Sequence, residues 1–229
     1  MSHKVAILVS GSGTNLQALI DAQQAGHLPV SFSVVLSNKA DAYALERARA
    51  AGIPTLVVEH KDFPSREAFD QAMIDALAPY AIDTLVLAGF MRILTPVFVR
   101  HFQGRLLNVH PSLLPLYRGL NTHQRALDNQ DKVHGCSIHF VSDELDGGPL
   151  IAQAQVPVLA EDSADSLAQR VHQSEHLLYP KVLLWRAHQQ LTLTDKGVTL
   201  NGEPLPTQGI AFSLREGANE LEPIGAAAS

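Results

Sequence analysis

The chain reads as an α/β protein: a doubly wound, mostly parallel sheet with an antiparallel or mixed carboxyl-terminal part. Short aliphatic runs alternate with segments whose apolar residues recur at helical spacing. A glycine-rich turn, Ser10-Gly11-Ser12-Gly13, separates the first run from the first helical segment, at a place where open parallel sheets bind ligands. Beyond residue 130 two strand-like segments follow one another with no helix between them, so an antiparallel or mixed edge is expected there.

Val5-Ala6-Ile7-Leu8-Val9 has the continuous apolar character of a central strand covered on both faces. Leu16, Leu19 and Ile20 then mark a helix, Ser33–Leu36 a second strand, Asp41–Ala51 a helix closed by Gly52, and Thr55–Val58 a third strand. Ser65 suits the cap of a helix reaching about Ala78, and Asp83–Ala88 and Leu106–Val109 supply the fourth and fifth strands. Cys136–Val141 and Leu150–Val158 are the consecutive strands. Asp162 or Ser163 opens a long helix with Leu167, Val171, Leu178 and Val182 on one face and a kink expected at Pro180. Leu191–Leu193 and Val198–Leu200, joined by Asp195-Lys196-Gly197, suit a closing hairpin.

At 229 residues the expected organisation is one domain over residues 1–215 and a flexible tail, rich in Glu, Ala and Gly, over 216–229. With 46% hydrophobic and 17% charged residues, the composition is that of a folded chain rather than a disordered one. A formal charge of -6 carries no footprint of nucleic-acid binding, and small anions are the better expected ligands. No apolar run approaches the ~20 residues of a membrane helix, and Val5–Val9 is too short for a signal-peptide core. One cysteine, Cys136, permits neither an intramolecular disulfide nor a cysteine-rich zinc site; a core position and a cytoplasmic setting are expected.

Asn108 and His110 stand two apart at the end of the fifth strand, so both project from one face. Pro111 and Pro115 stiffen the exit loop, and Asp146 follows in Asp143-Glu144-Leu145-Asp146-Gly147-Gly148. An amide that donates, an imidazole that moves a proton and a carboxylate that orients it suit attack on a carbonyl carbon. The same residues could instead satisfy a strand end and begin a Gly-Gly turn. The turn at residues 10–16 offers backbone N–H groups at a helix start and suits a phosphate, or it serves only to join strand to helix. A dinucleotide is disfavoured, because Leu16 stands where a third glycine would be needed and Ser37-Asn38-Lys39 where an acid would be.

Gly89-Phe90-Met91-Arg92-Ile93-Leu94 offers apolar walls and one cation for a flat heteroaromatic ligand, or forms a loop core with a snorkelling arginine. Arg66, in the first turn of its helix, is poorly placed for the helix dipole and suggests another task. Asn121 or Thr122 can cap a helix that has His123 in its cap region. His172 and His176 have metal-ligand spacing but lack the His-Glu-x-x-His order. Between them, Glu175 is either a solvated charge or a partner for a ligand amine.

Taken together, Ser-Gly-Ser-Gly-Thr-Asn-Leu at residues 10–16, Ser37-Asn38-Lys39-Ala40-Asp41, Ala88–Leu94, Asn108–Pro115 and Asp143–Gly148 resemble the glycinamide ribonucleotide formyltransferases. The resemblance runs from about Lys4 to Trp185. It implies a Rossmann-like formyltransferase domain that moves a formyl group from 10-formyltetrahydrofolate to the amine of 5'-phosphoribosylglycinamide in purine biosynthesis, without a metal. It implies Asn108, His110 and Asp146 as catalytic residues, and Gly13, Thr14, Asn15 and Glu175 on the ribonucleotide. The folate side would take Arg66, Met91, Arg92, Ile93, Leu94, Asn108, Ser142, Asp143, Glu144, Leu145 and Asp146. In the implied mechanism Asn108 and a protonated His110 meet the oxyanion. Partners are then two small molecules, with neither nucleic acid nor membrane, and the protein a monomer or homodimer.

Two positions depart from the pattern. Arg118 stands where many members have proline, and Asn121 where several have histidine. The competing readings are another user of 10-formyltetrahydrofolate, a hydrolase or a tRNA formyltransferase, and a non-catalytic nucleotide- or folate-binding module.

Overall fold

A computed structural model describes residues 2–215, 217 and 219–225. The described chain is α/β, its strand pairs mostly parallel, and it divides into two compact units, Met1–Asn108 with Val141–Asp143, and Val109–Phe140 with Glu144–Ser229.

The first unit contains strands β1 (His3–Val9), β2 (Val30–Ser37), β3 (Thr55–Val57) and β4 (Thr84–Leu87), and the start of β5 (Leu106–His110). All pair in parallel, in the order β5-β4-β1-β2-β3. Their alternation sends Ala6, Leu8, Val34, Leu36, Leu85, Leu87 and Leu106 to one face. There they pack with Phe69, Met73 and Leu77 of α3 (Arg66–Leu77) and Phe98 of α4 (Pro96–His101). Val5, Ile7, Val9 and Val35 point the other way and are equally buried. The buried residues of α1 (Thr14–Gln24) and α2 (Tyr43–Ala50) are Leu16, Leu19, Ile20, Ala44, Leu45 and Ala48, and the two helices pack on each other. A sheet buried on both faces is what continuous aliphatic strands require. Ser65 caps α3 as expected, accepting from the Ala68 N–H at 3.1 Å.

In the second unit β6 (Val133–Phe140) and β7 (Leu150–Pro157) pair antiparallel, β11 (Ile210–Leu214) joins β7 in parallel, and β12 (Leu221–Pro223) closes antiparallel. A small antiparallel sheet holds β8 (Leu191–Thr194), β9 (Gly197–Leu200) and β10 (Glu203–Pro204). Helix α5 (Thr122–Asp128) packs on α6 (Ala164–Ala187), which lies against β6 and β7. Ser163 and Ser166 form a reciprocal capping box at the start of α6, and the helix continues through Pro180.

Residues 221–223 form a strand, because the N–H of Arg215 and of Ile224 find the carbonyls of Glu220 and Ala211 at 3.0 and 2.8 Å and Arg215 pairs with Glu222. Residues 216, 218 and 226–229 of the expected flexible tail lie outside the described residues. Among the described residues no helix is long and apolar enough to cross a membrane.

Candidate active site

In the first unit the loops that follow β1 to β4 are stitched by one run of polar contacts. The buried Ser10 hydroxyl donates to Asn38 Oδ1 at 2.5 Å and accepts from the Met91 N–H at 2.8 Å. Asn38 Nδ2 lies 3.2 Å from His60 Nδ1, which continues the run to the segment after β3. Asn38 is thereby consumed inside the protein.

Gly13 takes a left-handed conformation (φ 74°) as the residue before α1, and a Cβ there would lie 2.6 Å from the Ala44 Cβ. Only glycine lets this turn rest against α2. The Ala44 N–H donates to the Gly11 carbonyl at 3.0 Å and Arg47 Nε to the Ser12 carbonyl at 2.8 Å, so α2 braces the turn. Thr14 and Asn15 open α1, where helical N–H groups and the positive dipole end attract anions.

The segment after β4 displays its apolar side chains. Met91 is 63% and Ile93 57% exposed, which removes the loop-core reading for these two, while Leu94 and Phe90 pack onto the core and Arg92 is half-buried. Arg66 has the separate task its position suggested: Nη2 donates to the Ile93 carbonyl at 2.8 Å and fixes the loop. Asp70, buried in α3, accepts from the Thr95 N–H at 2.6 Å and so sets the loop's exit; burial pushes its carboxyl above the usual range. Ser142 and Asp143 belong to this unit, and Asp143 Oδ2 lies 3.3 Å from Arg100 Nη2. Asn108 is half-buried near the end of β5.

The second unit brings His110 and Asp146 together. His110 is only 6% exposed, with Nδ1 3.4 Å from Asp146 Oδ2 and Nε2 2.9 Å from the Tyr117 carbonyl. A carbonyl only accepts, so Nε2 carries the hydrogen of that contact, and Nδ1 faces the carboxylate. Asp146 (φ 48°) accepts from the Gly119 N–H at 2.9 Å. Leu145 is exposed, and Glu144 pairs with Arg118.

The exit loop after His110 is held by more than its prolines. Ser137 Oγ donates to the Ser112 carbonyl at 2.6 Å and accepts from the Leu114 N–H at 3.0 Å; Gln153 Nε2 reaches the Leu114 carbonyl at 2.8 Å. Below this lie His123 and His134, with Nδ1 and Nε2 3.2 Å apart. Burial, chiefly, lowers both rings to about 4, the neighbouring His134 adding to the effect on His123. Asn121 takes the left-handed conformation (φ 58°) before α5, one that asparagine tolerates well.

Glu175 is 3% exposed, so it is not a solvated charge. Its negative charge adds to burial in pushing the Cys136 thiol up, and Cys136 is core as expected. His172 and His176 stack with ring centroids 6.4 Å apart, and among the described residues no group of three or more His, Cys, Asp or Glu is arranged to hold a metal.

Residues 3–183 match the formyl transferase family. This chain belongs to that family. It is 53% identical over 207 residues to the phosphoribosylglycinamide formyltransferase of Escherichia coli (strain K12), covering 90% of this chain and 98% of that protein. To the human trifunctional purine biosynthetic protein adenosine-3 it is 43% identical over 194 residues, 85% of this chain but 19% of that protein. Among solved structures, the phosphoribosylglycinamide formyltransferase of Coxiella burnetii superposes with a TM-score of 0.89 at 47% identity, over 92% of this chain and 99% of the other.

Within the formyl transferase frame, sequence reasoning gave no separate role to Ser10, Arg47, Tyr117 and Gly119. Ser10 and Arg47 act through contacts distant in sequence, and Tyr117 and Gly119 act through backbone atoms, so residue type carried no signal.

Proposed function

We infer that this chain transfers the formyl group of 10-formyltetrahydrofolate to the amine of 5'-phosphoribosylglycinamide, a step of purine biosynthesis, in the cytoplasm. The observation that carries the reading is the buried His110 ring held between a carbonyl and a carboxylate, in a chain with relatives of that name over nearly their whole length.

The substrate amine attacks the formyl carbon, forming a C–N bond and a tetrahedral intermediate. Its oxyanion is met by the Asn108 amide and the His110 ring, and losing one such donor typically costs about 10²–10³ in rate. Asp146 orients the imidazole. The proton leaving the amine passes to the folate nitrogen as the C–N bond to the cofactor breaks, an acid–base contribution of roughly 10²–10⁴. Gly13, Thr14 and Asn15 take the phosphate at the start of α1, and Glu175 faces the amine and ribose side of the ribonucleotide. Met91, Arg92, Ile93 and Leu94, fixed by Arg66, take the pteridine with Asn108, Ser142, Asp143, Glu144, Leu145 and Asp146. Exposed apolar side chains on a tethered backbone suit a flat ring with polar edges.

Absorbance during loss of the formyl group from 10-formyltetrahydrofolate, with and without phosphoribosylglycinamide, tests the reading. Loss that requires the acceptor supports transfer; loss without it points to a hydrolase, and no loss to a binding module.

A further inference from the structure

We propose that Arg118 is a positioning residue for this reaction: through Glu144 it holds the turn that keeps the Asp146 carboxylate on the His110 ring. The proposal rests on the transfer reaction inferred above. Residues 117–119 touch the pair twice and its turn once. The Tyr117 carbonyl receives His110 Nε2, the Gly119 N–H reaches Asp146 Oδ2, and Arg118 Nη1 pairs with Glu144 Oε1. The segment is itself anchored on α5, since Arg125 Nη1 donates to the Arg118 carbonyl at 2.7 Å and its guanidinium lies 5.1 Å from the centre of the Tyr117 ring.

The turn is closed by the Gly147 N–H, which donates to the Glu144 carbonyl at 3.1 Å. Glu144 folds back over Gly147, where a Cβ would lie 2.5 Å from the Glu144 Cδ, so the glutamate side chain lies against its own turn. Asp146, Gly147, Gly148 and Pro149 line a cavity of about 550 Å³ shared with Lys196 and Pro206, leaving the turn unpacked on that side. The 3.4 Å separation of Asp146 from His110 is at the long limit for a hydrogen bond, so a shift of a few tenths of an ångström decides whether it forms.

Arg118 and Glu144 are substantially exposed, so their attraction is modest and screened by salt. R118A is therefore expected to lower kcat about two- to five-fold, the range an exposed ion pair supplies. KM for phosphoribosylglycinamide should stay unchanged, and Tm should fall by no more than about 4 °C. R118K should keep most of the rate. Raising salt from ~0.05 to ~0.5 M should slow the parent protein toward R118A and leave R118A unaffected. Amide exchange at Leu145–Gly148 should quicken in R118A alone, a readout independent of the chemistry. Parental kcat and exchange in R118A overturns the proposal. A parent without acceptor-dependent formyl loss defeats the reading of the reaction instead, and exchange then decides the latch by itself.

Discussion

Replacing Gly13 by alanine tests both the brace between α1 and α2 and the anion site built on it. The new Cβ would stand 2.6 Å from the Ala44 Cβ and 2.7 Å from its Cα, against ~3.5–4.0 Å for ordinary carbon contacts, so the turn must retreat by about 1 Å. A left-handed alanine costs roughly 1–2 kcal/mol and such overpacking about 1–3 kcal/mol. Lower entropy of the unfolded chain offsets ~0.4–1 kcal/mol. The sum is a loss of about 2–4 kcal/mol, or ~5–15 °C in Tm at 2–4 °C per kcal/mol. The retreat also moves the first-turn N–H groups, so KM for the ribonucleotide should rise about ten-fold while that for folate changes little. Gly11 gives the control, because a Cβ there meets nothing within 4 Å and Gly11→Ala should stay within ~0.5 kcal/mol of the parent. Thermal melts and separate saturation curves measure both effects. A Gly13→Ala protein that melts with its parent refutes the packing argument, and an unchanged ribonucleotide KM refutes the phosphate assignment.

Asp146→Asn keeps an acceptor for the Gly119 N–H but removes the charge beside His110, so the fold and folate binding should persist while kcat falls roughly 10²–10⁴-fold; near-normal turnover would take Asp146 out of the mechanism. Ser10→Ala strips one partner each from Asn38 and the Met91 N–H, which should lower stability by about 1–3 kcal/mol and weaken folate binding; unchanged Tm and folate KM would count against the strap. Acid should destabilise the protein well before carboxylates titrate. His123 and His134 protonate near 4 when folded and at ~6.5 when unfolded. The unfolded chain therefore binds more protons between these values, and stability present above pH 6.5 is lost as pH falls toward 4. By pH 5 the loss is ~2 kcal/mol per ring, readable in urea midpoints; equal midpoints at pH 7 and pH 5 would contradict it.

Much of the architecture was legible because each element states its environment in its own residues. The β1 run is apolar on both faces because both are covered, Ser65 announces its helix by its hydroxyl, and β6 and β7 follow one another with no helix between them. Helix α4 is short, and the edge strand β12 carries charged neighbours, so neither leaves a periodic trace. At the site, Asn108, His110 and Asp146 stood out as polar groups at a strand end and a turn. Glu175 was ambiguous because helical position alone does not reveal burial. Tyr117 and Gly119 were invisible for a different reason: a carbonyl and an amide are common to nearly every residue, and only the fold decides which of them faces an imidazole.

Cys136 is the sole cysteine of the chain and lies in the interior, its thiol further suppressed by the Glu175 charge. The folded surface is therefore blind to maleimides and other thiolate-seeking reagents. A cysteine installed at exposed Leu145 would be the one handle such a reagent finds, so a spin label or fluorophore could report movement of that turn in solution with the native thiol left in place.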